Sequence, residues 1–390
     1  MLEIWKTAID KGNVAGALLT DLSKAFDCLN HELLIAKLDA YGFDNKSISL
    51  IYNYLSERKQ RTRVITSFSN WSGMKSGVPQ GSILGPLLFN IYLNDIFYFV
   101  KNSYLASYAD DNTPYAGGES IEYVLKTLKD TTEIMIMWFN DNYFKMNSQK
   151  CKLLTANHGN NVSIIIDKET ITDSVSVKLL GITIDNKLNF KEHITKLCKT
   201  ANLKLHALAR ISHLLNKNKL RTLMKAFIES QFSYCPLIWM FHNRALNNKI
   251  NKVHERALRI VYKNSYSSFQ ELLDMDSSFT IHHRNLQKLA IEMYKVKNDI
   301  SPSFMHDIFP FSNNIYNLRN DKSFKTSNVR TVHYGTETIR FRGPQTWNLI
   351  PEDFRNATNL KIFKSKIKKW NPVGCKCRIC RIYVPFYGFI

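Results

Sequence analysis

The chain has 390 residues, 44% of them hydrophobic, which is the make-up of an ordinary packed globule large enough for two or three domains. Lys and Arg number 53 against 33 Asp and Glu, and the resulting formal charge of +20 favours polyanions, with nucleic acid as the leading partner. Seven cysteines, at positions 28, 151, 198, 235, 375, 377 and 380, suggest no disulfide framework, and residues 1–6 lack the pattern of a secretory leader, so an intracellular protein of the cytoplasm or nucleus is expected.

In chain order, Val14 to Asp21 is a short apolar run closed by an acid, the pattern of a strand buried on both faces with the acid at its end. His31 to Tyr41 and Ser47 to Glu57 carry apolar residues at helical spacing, and Gly42 between them is a stop signal. Thr62 to Phe68 is rich in β-formers and is followed by turn residues from Asn70 to Gly73. The most apolar stretch, Ile83 to Val100, is interrupted by Asn90, Asn94 and Asp95, so no membrane span is expected and a buried helix from Ser82 to about Tyr98 is predicted. Leu105 to Tyr115 reads as two short strands with Asp110, Asp111 and Asn112 displayed at the bend. A helix from Ser120 to about Asn142 then leads to strand-like segments at Lys152 to Thr155, Val162 to Ile166 and Val175 to Ile184.

Beyond Phe190 the pattern is mainly helical. Ile194, Leu197, Ala201, Leu205 and Leu208 form one apolar stripe, and Ile250, Val253, Ala257 and Ile260 form another. Lys196, Lys199, Lys204, Lys249, Lys252, Arg256 and Arg259 fall largely outside these stripes, giving basic faces that either track phosphates or are simply solvated. Pro310 to Thr331 is rich in Asn, Ser and Asp and reads as a loop. After it come a predicted strand at Thr338 to Phe341, a turn at Gly343-Pro344 and a Lys-rich helix from Asn359 to about Trp370.

Three stretches stand out by their order: Asp21-Leu22-Ser23-Lys24-Ala25-Phe26-Asp27, then Gly77-Val78-Pro79-Gln80-Gly81-Ser82-Ile83-Leu84-Gly85-Pro86, then Tyr108-Ala109-Asp110-Asp111. Adjacent acids alone are common in solvated turns; the long middle block between the acids is what makes the set specific. Together they resemble motifs A, B and C of reverse transcriptases, most closely those of jockey-like non-LTR retrotransposons. The resemblance covers about residues 1 to 240. It implies an α+β fold, with a palm of antiparallel sheet packed on helices, a helical thumb and a small C-terminal region. The corresponding regions would be 1–190, 191–309 and 310–390. Only twenty residues precede Asp21, so the fingers of such a polymerase are expected to be largely missing and the chain to be N-terminally truncated.

The implied activity is RNA-directed DNA synthesis, with an RNA template, a DNA primer and dNTPs as partners. Charge developing on the entering and leaving oxygens during nucleotidyl transfer calls for two divalent cations, and Mg²⁺, or Mn²⁺ in its place, takes hard oxygen ligands. The resemblance assigns the metals to Asp21, Asp110 and Asp111, with Asp111 peripheral and the Leu22 carbonyl as an extra ligand. It assigns Phe26 to the crowding of a sugar 2′ position, Gln80 and Gly81 to support of the incoming nucleotide, and Lys150, with Lys145 second, to assisting the departing pyrophosphate. Leu179 to Asp185 is similar to the hairpin that grips the primer, which brings in Leu180 and Gly181. The alternative reading is a catalytically inactive remnant that binds nucleic acid through its basic helices. Near the end, Cys375, Cys377 and Cys380 form a CxCxxC pattern that suggests zinc but supplies three thiolates where a structural site takes four ligands, leaving a His or a distant Cys such as Cys235 to complete it.

Overall fold

The computed structural model describes residues 1–159, 161–312 and 323–381. Residues 313–322 of the expected loop and the last nine residues lie outside that description. The chain divides into two compact units, one comprising Gly12–Val177 with Met1, the other Leu2–Lys11 with Lys178–Ile390.

The first unit is built around β1 (Val14–Leu19), whose first five residues are buried. It is an inner strand of a four-stranded antiparallel sheet whose other members are β2 (Tyr104–Tyr108), β3 (Asp111–Gly118) and β4 (Lys152–Ala156), in the order β2-β3-β1-β4. Ala17 pairs with Tyr115 on one side and Leu154 on the other, which fixes the ends of β1 and β3 next to each other. An inner strand needs apolar side chains on both faces, which is why Val14 to Leu19 carries no polar residue.

Helices α1 (His31–Ala40) and α2 (Asn45–Leu55) each begin where the side chain of Asn30 or Asp44 accepts hydrogen bonds from the first free backbone amides. Gly42 between them has φ +82°, the left-handed conformation expected of a stop residue. The predicted helix over 82–98 is interrupted, because it divides into α3 (Leu84–Leu93) and α4 (Ile96–Phe99) at Asn94-Asp95. Asp95 accepts a 2.7 Å hydrogen bond from the buried Lys37 of α1, whose ammonium also reaches the Tyr92 carbonyl at 2.8 Å. Nor is the stretch buried all round: Leu88, Phe89, Tyr92, Leu93 and Ile96 enter the core, whereas Ile83 is 96% and Leu87 55% exposed. With apolar residues on every side of it, the sequence conceals which face meets the core.

The long helix α5 (Ile121–Asp141) lies over β1, with Ser120 capping its first turn. Gly16 makes this approach possible, since a Cβ there would sit 2.7 Å from Val124 Cγ1 and 3.3 Å from Leu128 Cδ1. A hairpin of β5 (Ser163–Ile166) and β6 (Glu169–Thr172) adds Ile164, Ile166 and Ile171 to the same core. Thr62 to Phe68 forms only two-residue strands, exposed on the surface.

The second unit is mainly helical. Helices α6 (Lys191–Ile211), α7 (Lys217–Phe227) and α8 (Arg244–Tyr262) pack through the expected stripes, with Ile194, Ala201, Leu205, Ile250, Val253 and Ala257 buried. Next comes α9 (Ile281–Lys297), the centre of a core that includes Leu286, Met293, Phe309, Trp347 and Phe363. Burying one such side chain stabilises the fold by roughly 1.5–3 kcal/mol. Beside it, Arg284 donates to both oxygens of buried Glu229, at 2.6 and 3.0 Å, and His254 lies 3.3 Å away. Burial opposes ionisation of Glu229, yet these partners prevail and hold its carboxyl down to about 2.

Two sequence expectations fail in the last segment. The strand predicted at Thr338 to Phe341 and the turn at Gly343-Pro344 are instead one helix, α10 (Ile339–Asn348). Thr338 Oγ1 accepts the Phe341 amide and starts the helix, and Gly343 is needed for packing, because its Cβ would lie 2.5 Å from the Phe309 ring. Tertiary contact thus overrides the turn preference of the Gly-Pro pair. The Lys-rich helix is α11 (Leu360–Ile367), capped by Asn359. The helix Leu2–Asp10 belongs to this unit too: buried Asp10 accepts the Thr331 amide and hydroxyl, each at 2.7 Å, and the Arg330 amide at 3.0 Å.

Gly16→Ala tests the packing of α5 on β1. Alanine is worth about 0.5–1 kcal/mol over glycine in a strand, whereas forcing a methyl into a filled core costs about 1–3 kcal/mol. The substitution is expected to lower stability to chemical denaturation by about 1–2 kcal/mol net, and an unchanged or raised midpoint would show that the interface has room to spare.

Candidate active site

The site grows from the pairing just beyond β1. Thr20 donates to the Asn112 carbonyl twice, from its amide at 3.0 Å and from its hydroxyl at 2.7 Å. Antiparallel pairing of Thr20 with Asn112 sets Asp21 opposite Asp111 at the next position. The hairpin closes with Tyr108 opposite Asp111, so Ala109 and Asp110 form its tip. Ala109 has φ +54°, an uncommon conformation for a residue with a side chain. Asn112 is fully buried, receives the Ser107 hydroxyl at 2.7 Å and donates to the Asp110 carbonyl at 3.3 Å, fastening the tip from beneath.

On the other side of Asp21, Ser23 donates to the Lys145 carbonyl at 2.9 Å and Asn147 to the Asp21 carbonyl at 2.8 Å. Leu22 faces Met146 in this ladder without bonding to it. By the alternation of strand amides, its carbonyl turns to the side on which Thr20 meets Asn112. Lys150 is brought here as well, its Nζ 3.2 Å from Asp21 Oδ2. Both side chains are open to solvent, at 64% and 40% exposure, so the pair is worth only about 0–1 kcal/mol and is readily displaced.

Asp111 senses the other two acids. The Asp111 carboxyl is pushed above its ordinary range by partial burial, then by the negative charges of Asp110 and Asp21. Carboxylates and a backbone carbonyl are hard oxygen donors, of the kind that magnesium-like cations take together with water and substrate phosphates. The donor set therefore fits magnesium-like cations, and the repulsion registered at Asp111 is what such a cation would relieve.

The middle motif is fastened to the loop after Asp21. Val78 donates to the Phe26 carbonyl at 3.0 Å, Gly77 to the Leu29 carbonyl at 2.7 Å, and Gln80 Nε2 to Asp27 Oδ1 at 3.3 Å. Gly77 is required at its place: φ is +82° and a Cβ would meet the Asp27 backbone at 2.9 Å. Gly81 also has positive φ, +78°, with open space where its side chain would project. Phe26 stacks on Phe89 of α3, with ring centroids 4.3 Å apart. His31, given no role from the sequence, has its Nε2 2.7 Å from the Gly77 carbonyl, and Asn112, expected at the bend, is instead buried in β3, where it supports the acids. The clue to Asn112 was its place directly after the acid pair, at the head of a strand.

Leu180 and Gly181 lie in the second unit. Both have positive φ, +45° and +82°, and form the turn between β7 (Ser176–Leu179) and β8 (Ile182–Asp185). Tyr234 donates its hydroxyl to the Leu180 carbonyl at 2.8 Å. The cysteines of the tail gather in the same unit, where Cys377 and Cys380 cluster with His282, while Cys235 is an exposed residue of a different segment.

A raised Asp111 carboxyl has a definite consequence for stability. Its proton stabilises the fold below the ordinary value of 3.8, and this contribution is lost as pH rises through the raised value. At neutral pH Asp111→Asn should therefore raise the melting temperature, by no more than about 1–2 °C for so exposed a group. Added Mg²⁺ should stabilise the parent chain more than the variant. A lower melting temperature in the variant at pH 7 would mean that the acids do not repel.

Over residues 5–184 the chain matches the reverse transcriptase (RNA-dependent DNA polymerase) family. Across 268 residues it is 26% identical to a probable RNA-directed DNA polymerase from transposon BS of Drosophila melanogaster, covering 65% of this chain and 30% of that protein. The RNA-directed DNA polymerase from mobile element jockey of the same fly is 27% identical over 64% of this chain and 28% of its own length. The chain thus spans less than a third of the length of these relatives. The matched stretch contains both the paired strand ends and the block fastened to them, and over it the chain is similar to reverse transcriptases, among them the RNA-directed DNA polymerase of mobile element jockey.

Proposed function

We propose that this chain supplies the catalytic palm and the thumb of an RNA-directed DNA polymerase, acting inside the cell on an RNA template, a DNA primer and dNTPs. The observation that carries the reading is the convergence of Asp21, Asp110 and Asp111 at adjoining strand ends. Residues 1–190 would be the palm, 191–309 the thumb, and 310–390 a C-terminal region. Among the described residues no helix is long and apolar enough to cross a membrane.

In the reaction, the primer 3′ oxygen bonds to the α-phosphorus of the dNTP as the bond to the bridging oxygen breaks and pyrophosphate leaves. Reverse transcriptases use divalent metal ions, and two, as Mg²⁺ or Mn²⁺, would here neutralise charge on the entering and leaving oxygens. Asp21, Asp110 and the Leu22 carbonyl would hold them, with Asp111 at the periphery. Lys150, resting on Asp21, would turn to the departing pyrophosphate and donate a proton. Gln80 and Gly81 would cradle the nucleotide, the absent side chain at Gly81 letting the backbone come close. Phe26, braced by the Phe89 ring, would close the space that a 2′-hydroxyl needs. Leu180 and Gly181 would hold the primer end. A groove between α6 and α8 lined by Lys199, Lys249, Lys252 and Arg256 would follow the phosphate backbone.

Primer extension on an RNA template with Mg²⁺ tests the proposal. Asp110→Asn is expected to lower extension by about a hundredfold or more while leaving the fold intact. Template binding that falls steeply with salt, with no extension by the parent chain, would instead favour a nucleic-acid-binding remnant. For the sugar gate, Phe26→Val should raise ribonucleotide incorporation relative to dNTP by about tenfold or more. Unchanged sugar preference would remove Phe26 from that role.

A further inference from the structure

The tail sequence supplies three thiols, and the fold supplies a fourth ligand from 95 residues earlier. His282 stands in the first turn of α9, and its Nε2 lies 3.3 Å from Cys377 Sγ. The ligand atoms of His282, Cys377 and Cys380 all lie within 4.8 Å of one another. Cys375 stands beside that trio, with its sulfur in hydrogen-bonding reach of both other thiols and of the Cys377 backbone. His282 is 3% exposed, Cys377 0% and Cys375 9%, while Cys380 is half-buried, so the cluster lies at the edge of the second unit's core.

We propose that His282, Cys375, Cys377 and Cys380 form a structural zinc site that pins the chain's tail to α9. Three thiolates and one imidazole are a set that Zn²⁺ takes in tetrahedral geometry, and four protein ligands with no open position suit a structural rather than a catalytic ion. The surroundings match the charge: three thiolates and one Zn²⁺ leave a net negative charge, and the Arg342 and Arg378 guanidinium groups act on Cys375 and Cys377. Arg378, between two of the ligands, is itself held by the carbonyls of Phe241 and His242. The tail therefore arrives in one register, with its thiols turned to His282. This site is independent of the polymerase reading and stands whether or not the chain extends a primer.

The test uses the full chain, purified without chelator, with metal content measured by mass spectrometry and coordination read from the cobalt(II)-substituted protein. The expected result is about one zinc per chain and a cobalt spectrum with sulfur-to-metal charge transfer and tetrahedral bands. His282→Ala should weaken zinc binding by on the order of a hundredfold or more. His282→Cys should restore it with the spectrum of a four-thiolate site, which keeps the test decisive if the alanine variant unfolds. Cys235→Ser and His283→Ala should bind zinc as the parent does. The proposal is overturned by a parent chain that takes up neither zinc nor cobalt, by a disulfide among the three cysteines in the freshly purified protein, or by zinc retention in His282→Ala. Loss of zinc in Cys235→Ser or His283→Ala would equally reject His282 as the fourth ligand.

Discussion

Like charges must be forced together here, and the pairing of Thr20 with Asn112 is what forces them. Both hydrogen bonds from Thr20 to the Asn112 carbonyl are made by groups withdrawn from water, where breaking them would cost more than at the surface. They lock the end of β1 to the head of β3, so Asp21 and Asp111 cannot drift apart to relieve their repulsion. A cation is then drawn to a place already shaped for it. The resulting strain is electrostatic and local, and the inner position of β1, hydrogen-bonded on both sides, carries it.

Much of this was legible in the chain because the relevant signals are short-range. The apolar run ending at Asp21, the turn chemistry around Asp110 and the helical spacing that begins near His31 and Ser120 each act within a few residues, and the elements appear there. What escaped depends on partners far away. Thr338 to Asn348 reads as strand and turn until Phe309 is packed against Gly343. The 82–98 segment looks like one buried helix until Lys37 captures Asp95. Gly77 looks like one more motif glycine, and only the Asp27 backbone at 2.9 Å from its missing Cβ shows why nothing else fits. His282 carries no local mark at all, since its meaning comes from thiols in the tail.

The two units solve the problem of buried charge differently. In the first, the acids stay near the surface beside a displaceable Lys150. In the second, charged groups are enclosed beside partners: Glu229 by Arg284 and His254, and Glu337 by Arg342 at 2.5 Å. Removing one member of such a buried pair leaves the other uncompensated, so these contacts specify a single arrangement of helices more than they add to its stability. A binding site must exchange its counter-ions with solvent and substrate, whereas a scaffold must not.

The bonds between Asp10 and the backbone of Arg330 and Thr331 have a consequence for biosynthesis. A nascent chain leaves the ribosome from its N-terminal end, so the sheet and helices of residues 12–177 can fold while the rest is still being made. The helix Leu2–Asp10 emerges before any of them and yet must wait for a segment some 320 residues later to find its partner. Until then its apolar face, with Trp5 and Ile9, stays uncovered. A helix made before the sheet is thus buried after it, and in that interval it is open to chaperone capture.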